Sequence, residues 1–108
     1  MHNASEQSEM KKDMAKVLID IKAVGASPDE PFTLTSGTKS PVYIDCRKLI
    51  SFVPEREKAI EYMRILTSTV GEGPIDAIAG GETAGIPYAA FLSSKMGLPM
   101  LYVRKKPK

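Results

Sequence analysis

Residues 75–108 read IDAIAGGETAGIPYAAFLSSKMGLPMLYVRKKPK. Ile75-Asp76-Ala77-Ile78-Ala79 is a short, mostly apolar run bounded by turn residues, the pattern of a buried parallel strand. Gly80-Gly81-Glu82 reads as the turn that follows. Thr83 is suited to cap a helix running to about Met96, and Gly97 supplies its stop. Pro87 falls in or near the first turn of that helix, where its missing N–H is tolerated. Leu98 to Val103 is a second apolar run and the second strand. Strand, helix and strand in this order make a βαβ unit, whose crossover is nearly always right-handed. The expected fold class is therefore α/β.

Working back toward the N-terminus, Pro54, Glu55 and Glu57 suit the first turn of a preceding helix. Ala59, Ile60, Met63, Leu66 and Val70 give it an apolar face, and Gly71 and Gly73-Pro74 end it. Before it, Phe32-Thr33-Leu34-Thr35 and Val42-Tyr43-Ile44-Asp45 read as two short strands, expected to pair antiparallel across the turn Ser36-Gly37-Thr38-Lys39-Ser40-Pro41. From Ser8, the spacing of Met10, Met14, Val17, Leu18, Ile21 and Val24 predicts an amphipathic helix, with Gly25 as its stop. The methionine stripe reads as a packing face, and residues 1–8 as a polar start.

The 108 residues suffice for one small domain. At 43% apolar and 26% charged, the composition excludes disordered and collagen-like chains. A net charge of +2 is too small to imply nucleic acid as a partner. No apolar run reaches membrane-spanning length, and Met1-His2-Asn3-Ala4 lacks the basic start and apolar stretch of a signal peptide. The single cysteine, Cys46, cannot form an internal disulfide, which fits a reducing cytoplasmic setting. His2 lies at a terminus and is given no role.

Chemistry concentrates at three places. In open α/β sheets, ligands bind beyond the carboxyl ends of the strands. One such end is Ala79-Gly80-Gly81-Glu82-Thr83-Ala84-Gly85. There, glycines let backbone amides come close and a helix N-terminus favours a phosphate or diphosphate. Glu82 can receive a metal, a sugar hydroxyl or a base N–H. The same residues also suit a tight turn with no ligand, and the spacing alone leaves both readings open. The second end is Arg104-Lys105-Lys106-Pro107-Lys108, four cations in five residues directly after a strand, either phosphate ligands or a solvated basic loop. The third place is 35–45, where Tyr43 can stack on a planar base and Lys39 can pair with an anion. Its plainer reading is a polar turn with a core tyrosine.

Taken together, Phe32-Thr33-Leu34-Thr35-Ser36-Gly37 with Ser40-Pro41, then Gly80-Gly81-Glu82-Thr83-Ala84-Gly85-Ile86-Pro87, then Val103-Arg104-Lys105-Lys106-Pro107-Lys108 resemble orotate phosphoribosyltransferase in order and separation. The resemblance covers about residues 10–108. It implies a type I phosphoribosyltransferase fold: an N-terminal helix and β-hairpin hood over residues 1–50, and over 51–108 the first βαβ of a parallel, Rossmann-like core, truncated. It implies transfer of ribose 5-phosphate from phosphoribosyl pyrophosphate to orotate, giving orotidine 5′-monophosphate and pyrophosphate. That is a step of de novo pyrimidine (UMP) biosynthesis by a cytoplasmic glycosyltransferase, with Mg²⁺ and as a homodimer with shared sites.

By position, the resemblance implies that Gly81, Glu82, Thr83 and Ala84 hold the donor's pyrophosphate. Arg104 and Lys105 become donor-phosphate ligands, and Lys105 and Lys108 the catalytic pair, with Lys108 opening a mobile loop. Tyr43 and Ile44 sandwich the base, and Thr35 and Lys39 lie beside the substrate. No metal-ligating residue is assigned. Some members carry Lys where Thr35 stands and Tyr-Lys where Thr83-Ala84 stands, so the chain is of a different branch or Lys39 and Glu82 compensate. The family's acidic phosphoribosyl-phosphate signature, on a later strand, is absent. The chain is thus expected to be the N-terminal portion of a longer, active one and to be inactive alone. A non-catalytic nucleotide-binding or subunit-interaction fragment is the alternative of a different class. A phosphoribosyltransferase for another base is the third.

Overall fold

The computed structural model describes residues 4–27, 29–34, 36–68 and 73–106. Helix α1 spans Ala4–Asp20, starting earlier and stopping sooner than its apolar spacing predicts. It ends because Lys22 turns left-handed (φ 62°), with the Lys22 amide donating to the Ile19 carbonyl and the Ala23 amide to the Leu18 carbonyl. This is a paired C-terminal cap in which a lysine takes the place usually filled by glycine. Gly25 is therefore not the stop. It lies in a strand, β1 (Val24–Ala26), with the end of the Phe32 ring where a side chain would go.

The hairpin also differs from its expected pairing. Strand β2 (Phe32–Thr33) pairs antiparallel with β3 (Lys39–Ser40), while β4 (Val42–Ile44) pairs antiparallel with β1. Pro41 separates the two ladders: it lacks a donor, and the Ser40 hydroxyl bonds both the amide and the carbonyl of Val42 across it. The chain thus bends between β3 and β4 and exchanges one partner for another. Lys39, expected in the turn, is a strand residue.

A 3-10 helix over Cys46–Ser51 follows, unanticipated by the apolar pattern, with the Asp45 carboxylate capping it through the Arg47 amide. Helix α2 (Val53–Thr67) carries Pro54 in its first turn as expected and caps at Ser68. Val70 and Gly71 lie outside the described residues. The core gathers Val17 and Ile21 from α1 with Ala23, Leu49 and Ala59, flanked by Met14, Leu18 and Tyr88. Ile60, only 1% exposed, is its most deeply buried large side chain, and burial of such a group stabilises by about 1.5–3 kcal/mol.

The βαβ unit is present as expected: β5 (Ile78–Gly81), α3 (Gly85–Met96) and β6 (Met100–Val103), with β5 and β6 parallel. Its first strand is shifted along the chain. Residues 75–77 are outside the ladder, and Gly80 and Gly81 are inside it, opposite Tyr102 and Val103. The turn is therefore 82–84, and Thr83 does not cap α3. Ala84 holds that position, with no side-chain hydrogen bond. Gly97 ends α3 in the left-handed conformation, as predicted. Among the described residues, no helix is long and apolar enough to cross a membrane.

Candidate functional site

Gly80 sets the geometry at the end of β5. A Cβ there would lie 2.6 Å from the Gly85 carbonyl oxygen and 2.7 Å from the Ala89 Cβ, so only glycine lets α3 pack this closely on its own strand. The Glu82 amide donates to the Val103 carbonyl (2.9 Å), extending the parallel ladder by one bond into the turn. The Glu82 carboxylate accepts from the Lys105 amide (2.9 Å). Glu82 thereby fixes the stretch after β6 beside the stretch after β5. Thr83 and Ala84 stay exposed at the start of α3, where the helix dipole favours an anion.

A cavity of about 400 Å³ opens at this rim, lined by Arg47, Ile50, Thr83, Ala84, Pro87 and Lys105. It brings together Thr83, Ala84 and Lys105, three residues expected at the site from the sequence. Arg104 is exposed next to Lys105 but does not line the cavity. Gly81 is the last residue of β5. Lys39 of β3 and Tyr43 and Ile44 of β4 are all exposed, with the Tyr43 ring 6.0 Å from that of Phe32. Thr35 and Lys108 lie outside the described residues. Among the described residues, no group of three or more His, Cys, Asp or Glu side chains could hold a metal ion.

Arg47, Ile50 and Pro87 line the cavity without having been singled out in the sequence. Arg47 is the important one. Its Nε lies 2.9 Å from Asp45 Oδ1 and its Nη2 3.4 Å from Oδ2. The Asp45 carboxylate holds the guanidinium pKa above its ordinary value, with a smaller contribution from Tyr43, and Arg47 in turn holds the Asp45 carboxyl below its own. The 3-10 helix beneath is tied down at several points. The Tyr88 hydroxyl of α3 donates to the Cys46 carbonyl, and Arg56 Nη1 of α2 donates to the Ile50 carbonyl at 3.0 Å. Arg56 also stacks 4.2 Å over the Phe91 ring, and Lys48 Nζ reaches the Lys22 carbonyl at 3.0 Å. Burial raises the Tyr88 hydroxyl pKa, so it remains a donor. The available sequence signal was the Asp45–Arg47 spacing, which marks a capped turn but not what the turn faces.

Curated relatives match nearly the whole chain. The orotate phosphoribosyltransferase of Cereibacter sphaeroides is 52% identical over 103 residues, 94% of this chain. Over nearly its whole length the chain is similar to the orotate phosphoribosyltransferases. Solved structures agree on the type I phosphoribosyltransferase fold. The orotate phosphoribosyltransferase of Aeropyrum pernix matches with a TM-score of 0.70 at 35% identity, over 88% of this chain and 51% of that one. The UMP synthase of Leishmania donovani matches with a TM-score of 0.69 at 33% identity, over 88% of this chain and 20% of that one. Comparison with protein-family models finds no match. The chain spans 44% of the length of the Cereibacter orotate phosphoribosyltransferase.

Proposed function

We propose that this chain carries the donor-binding rim and the hood of an orotate phosphoribosyltransferase. In this reading the complete protein transfers ribose 5-phosphate from phosphoribosyl pyrophosphate to orotate, a step of pyrimidine synthesis. The cavity that unites Thr83 and Ala84 with Lys105 carries the proposal. As the glycosidic bond of the donor breaks, negative charge grows on the departing diphosphate while the ribose becomes cationic. Fixed donors at the start of α3 and the Lys105 ammonium meet that charge where it develops. Arg104 extends the positive surface. Tyr43 and Ile44 of β4 offer the hood's apolar face to the planar base, and Lys39 and Thr35 are further substrate-binding residues in this reading. Lys108 is a second catalytic cation in this reading.

Residues 1–50 act as the hood and 51–108 as the start of the core in this reading. A dimer in the cytoplasm, with sites shared between subunits, completes it. Leu101, Tyr102 and Val103 are each more than half exposed along β6, a flank suited to further strands of the sheet. Magnesium enters with the donor. The two nearby carboxylates are already engaged, Glu82 by the Lys105 amide and Asp45 by Arg47, so the described residues do not build a cage for it. Magnesium is commonly held by substrate phosphates and its own waters. No step depends on a protein-held ion.

The test is an assay of the complete gene product with orotate, phosphoribosyl pyrophosphate and Mg²⁺. Loss of orotate's ultraviolet absorbance is expected. Unchanged orotate alongside turnover of hypoxanthine or uracil overturns the assignment. In the same assay, Lys105→Ala lowers turnover by at least tenfold, as loss of a charge-assisted contact to the leaving group requires.

A further inference from the structure

A turn reading Thr83-Ala84 holds no cation of its own, yet a diphosphate needs more positive charge than one lysine and a helix end supply. Lys39 and Glu82 are the residues that the sequence offers as compensation. Lys39 lies in β3 and does not line the cavity, and Glu82 gives its carboxylate to the Lys105 amide. Neither adds a cation at the rim. Arg47 does: it lines the cavity with Thr83, Ala84 and Lys105.

We propose that Arg47 is a diphosphate-binding residue, supplying from the 3-10 helix the charge that the 83–84 turn lacks. The inference rests on the donor-binding reading above. Four observations converge on it. The cavity wall holds two cations, Arg47 and Lys105, and no carboxylate. Asp45 grips Nε and Nη2, which fixes the direction of the guanidinium plane without burying it, for the side chain stays 67% exposed. The pair is therefore a weak surface pair that a multiply charged anion displaces or shares. Finally, the backbone beneath is pinned from three sides by Tyr88, Arg56 and Lys48, so the cation is presented from a rigid support. A guanidinium fork matches phosphate oxygens two at a time, which an ammonium cannot do. The base is the competing ligand, but Tyr43 and Ile44 do not line this cavity.

The probe is magnesium pyrophosphate, titrated calorimetrically into the complete gene product and its variants. Arg47→Gln is expected to weaken pyrophosphate binding about ten- to a hundredfold. It also raises the KM for phosphoribosyl pyrophosphate by a similar factor and leaves the KM for orotate within about twofold. Arg47→Lys recovers part of the loss, because it restores the charge but not the fork. Pyrophosphate affinity within twofold of the unmutated protein overturns the proposal, and so does a rise in the KM for orotate alone. On the unmutated protein, pyrophosphate is expected to shield Arg47 from an arginine-selective dicarbonyl reagent, read by peptide mass. Equal modification with and without pyrophosphate overturns it, whatever the variants do. Neither pyrophosphate experiment involves orotate, so a protein that ignores orotate but binds pyrophosphate through Arg47 refutes the function and spares this inference.

Discussion

The β1–β4 region, proposed above as a hood, and the βαβ unit are built from similar ingredients and obey different rules. Both contain short strands, glycines and a nearby helix. In the βαβ unit, β5 and β6 pair over four residues each and α3 lies on them so closely that Gly80 is almost in contact with Gly85 and Ala89. In the hood, ladders of two and three residues stand mostly exposed, and a Cβ added at Gly25 would meet the far end of the Phe32 ring at 3.3 Å and the Tyr43 carbonyl oxygen at an ordinary 3.8 Å. Tight backbone packing makes one region intolerant of a single added carbon. A soft aromatic contact leaves the other adjustable. Thr83, Ala84 and Lys105 therefore lie at the edge of the stiff unit, and β1–β4 form the more adjustable part.

The strongest way to break this contrast is one substitution made in each region. Gly80→Ala places a methyl group within clashing distance of backbone, so β5 and α3 must separate. A loss of about 3 kcal/mol in urea unfolding is expected. Gly25→Ala needs only a few tenths of an ångström from the Phe32 ring and reduces unfolded-chain entropy. Its effect is expected to stay within about 0.5 kcal/mol of zero. Equal losses at the two positions would erase the distinction between stiff core and soft hood.

A smaller effect sharpens the same comparison through pH. Glu61 of α2 bridges to Arg64 and, at 2.9 Å, to Lys95 of α3. The Arg64 hydrogen bond first, and then Lys95, lower its pKa from 4.5 to about 2. A carboxyl that binds its proton less readily folded than unfolded stabilises the fold above pH 4.5, and that contribution is lost as the pH falls toward 2. Glu61→Gln should lower the melting temperature at neutral pH and flatten its fall across that window, leaving the value near pH 2 nearly unchanged. An unaltered acid slope would mean that the α2–α3 ion pair adds nothing in solution.

The hood shows where sequence reading ran short. Val42, Tyr43 and Ile44 were legible as a strand, but not their partner. Strand pairing is decided by backbone donors on another segment, and here Pro41 redirects the chain from β2 to β1. The end of α1 was missed for a similar reason. Lys22 takes a left-handed conformation that its side chain does not advertise, and hydrogen bonds to Leu18 and Ile19 hold it there. In β5, the apolar run suggested a strand from Ile75, whereas the ladder follows β6 and draws in Gly80 and Gly81.

The sequence by itself determined the α/β class, the βαβ unit, the helix start at Pro54 and stop at Gly97, and the grouping of Thr83, Ala84 and Lys105 at one rim. Those follow from periodicity and from the rule that parallel strands bring their carboxyl ends together. Only the tertiary structure decided that Arg47 joins them. Arg47 is 36 positions before Thr83 in the chain. Its approach depends on Tyr88, Arg56 and Asp45 acting on a six-residue 3-10 helix with no periodic signal of its own. Local pattern describes what a segment prefers. Contacts between distant segments decide what it faces.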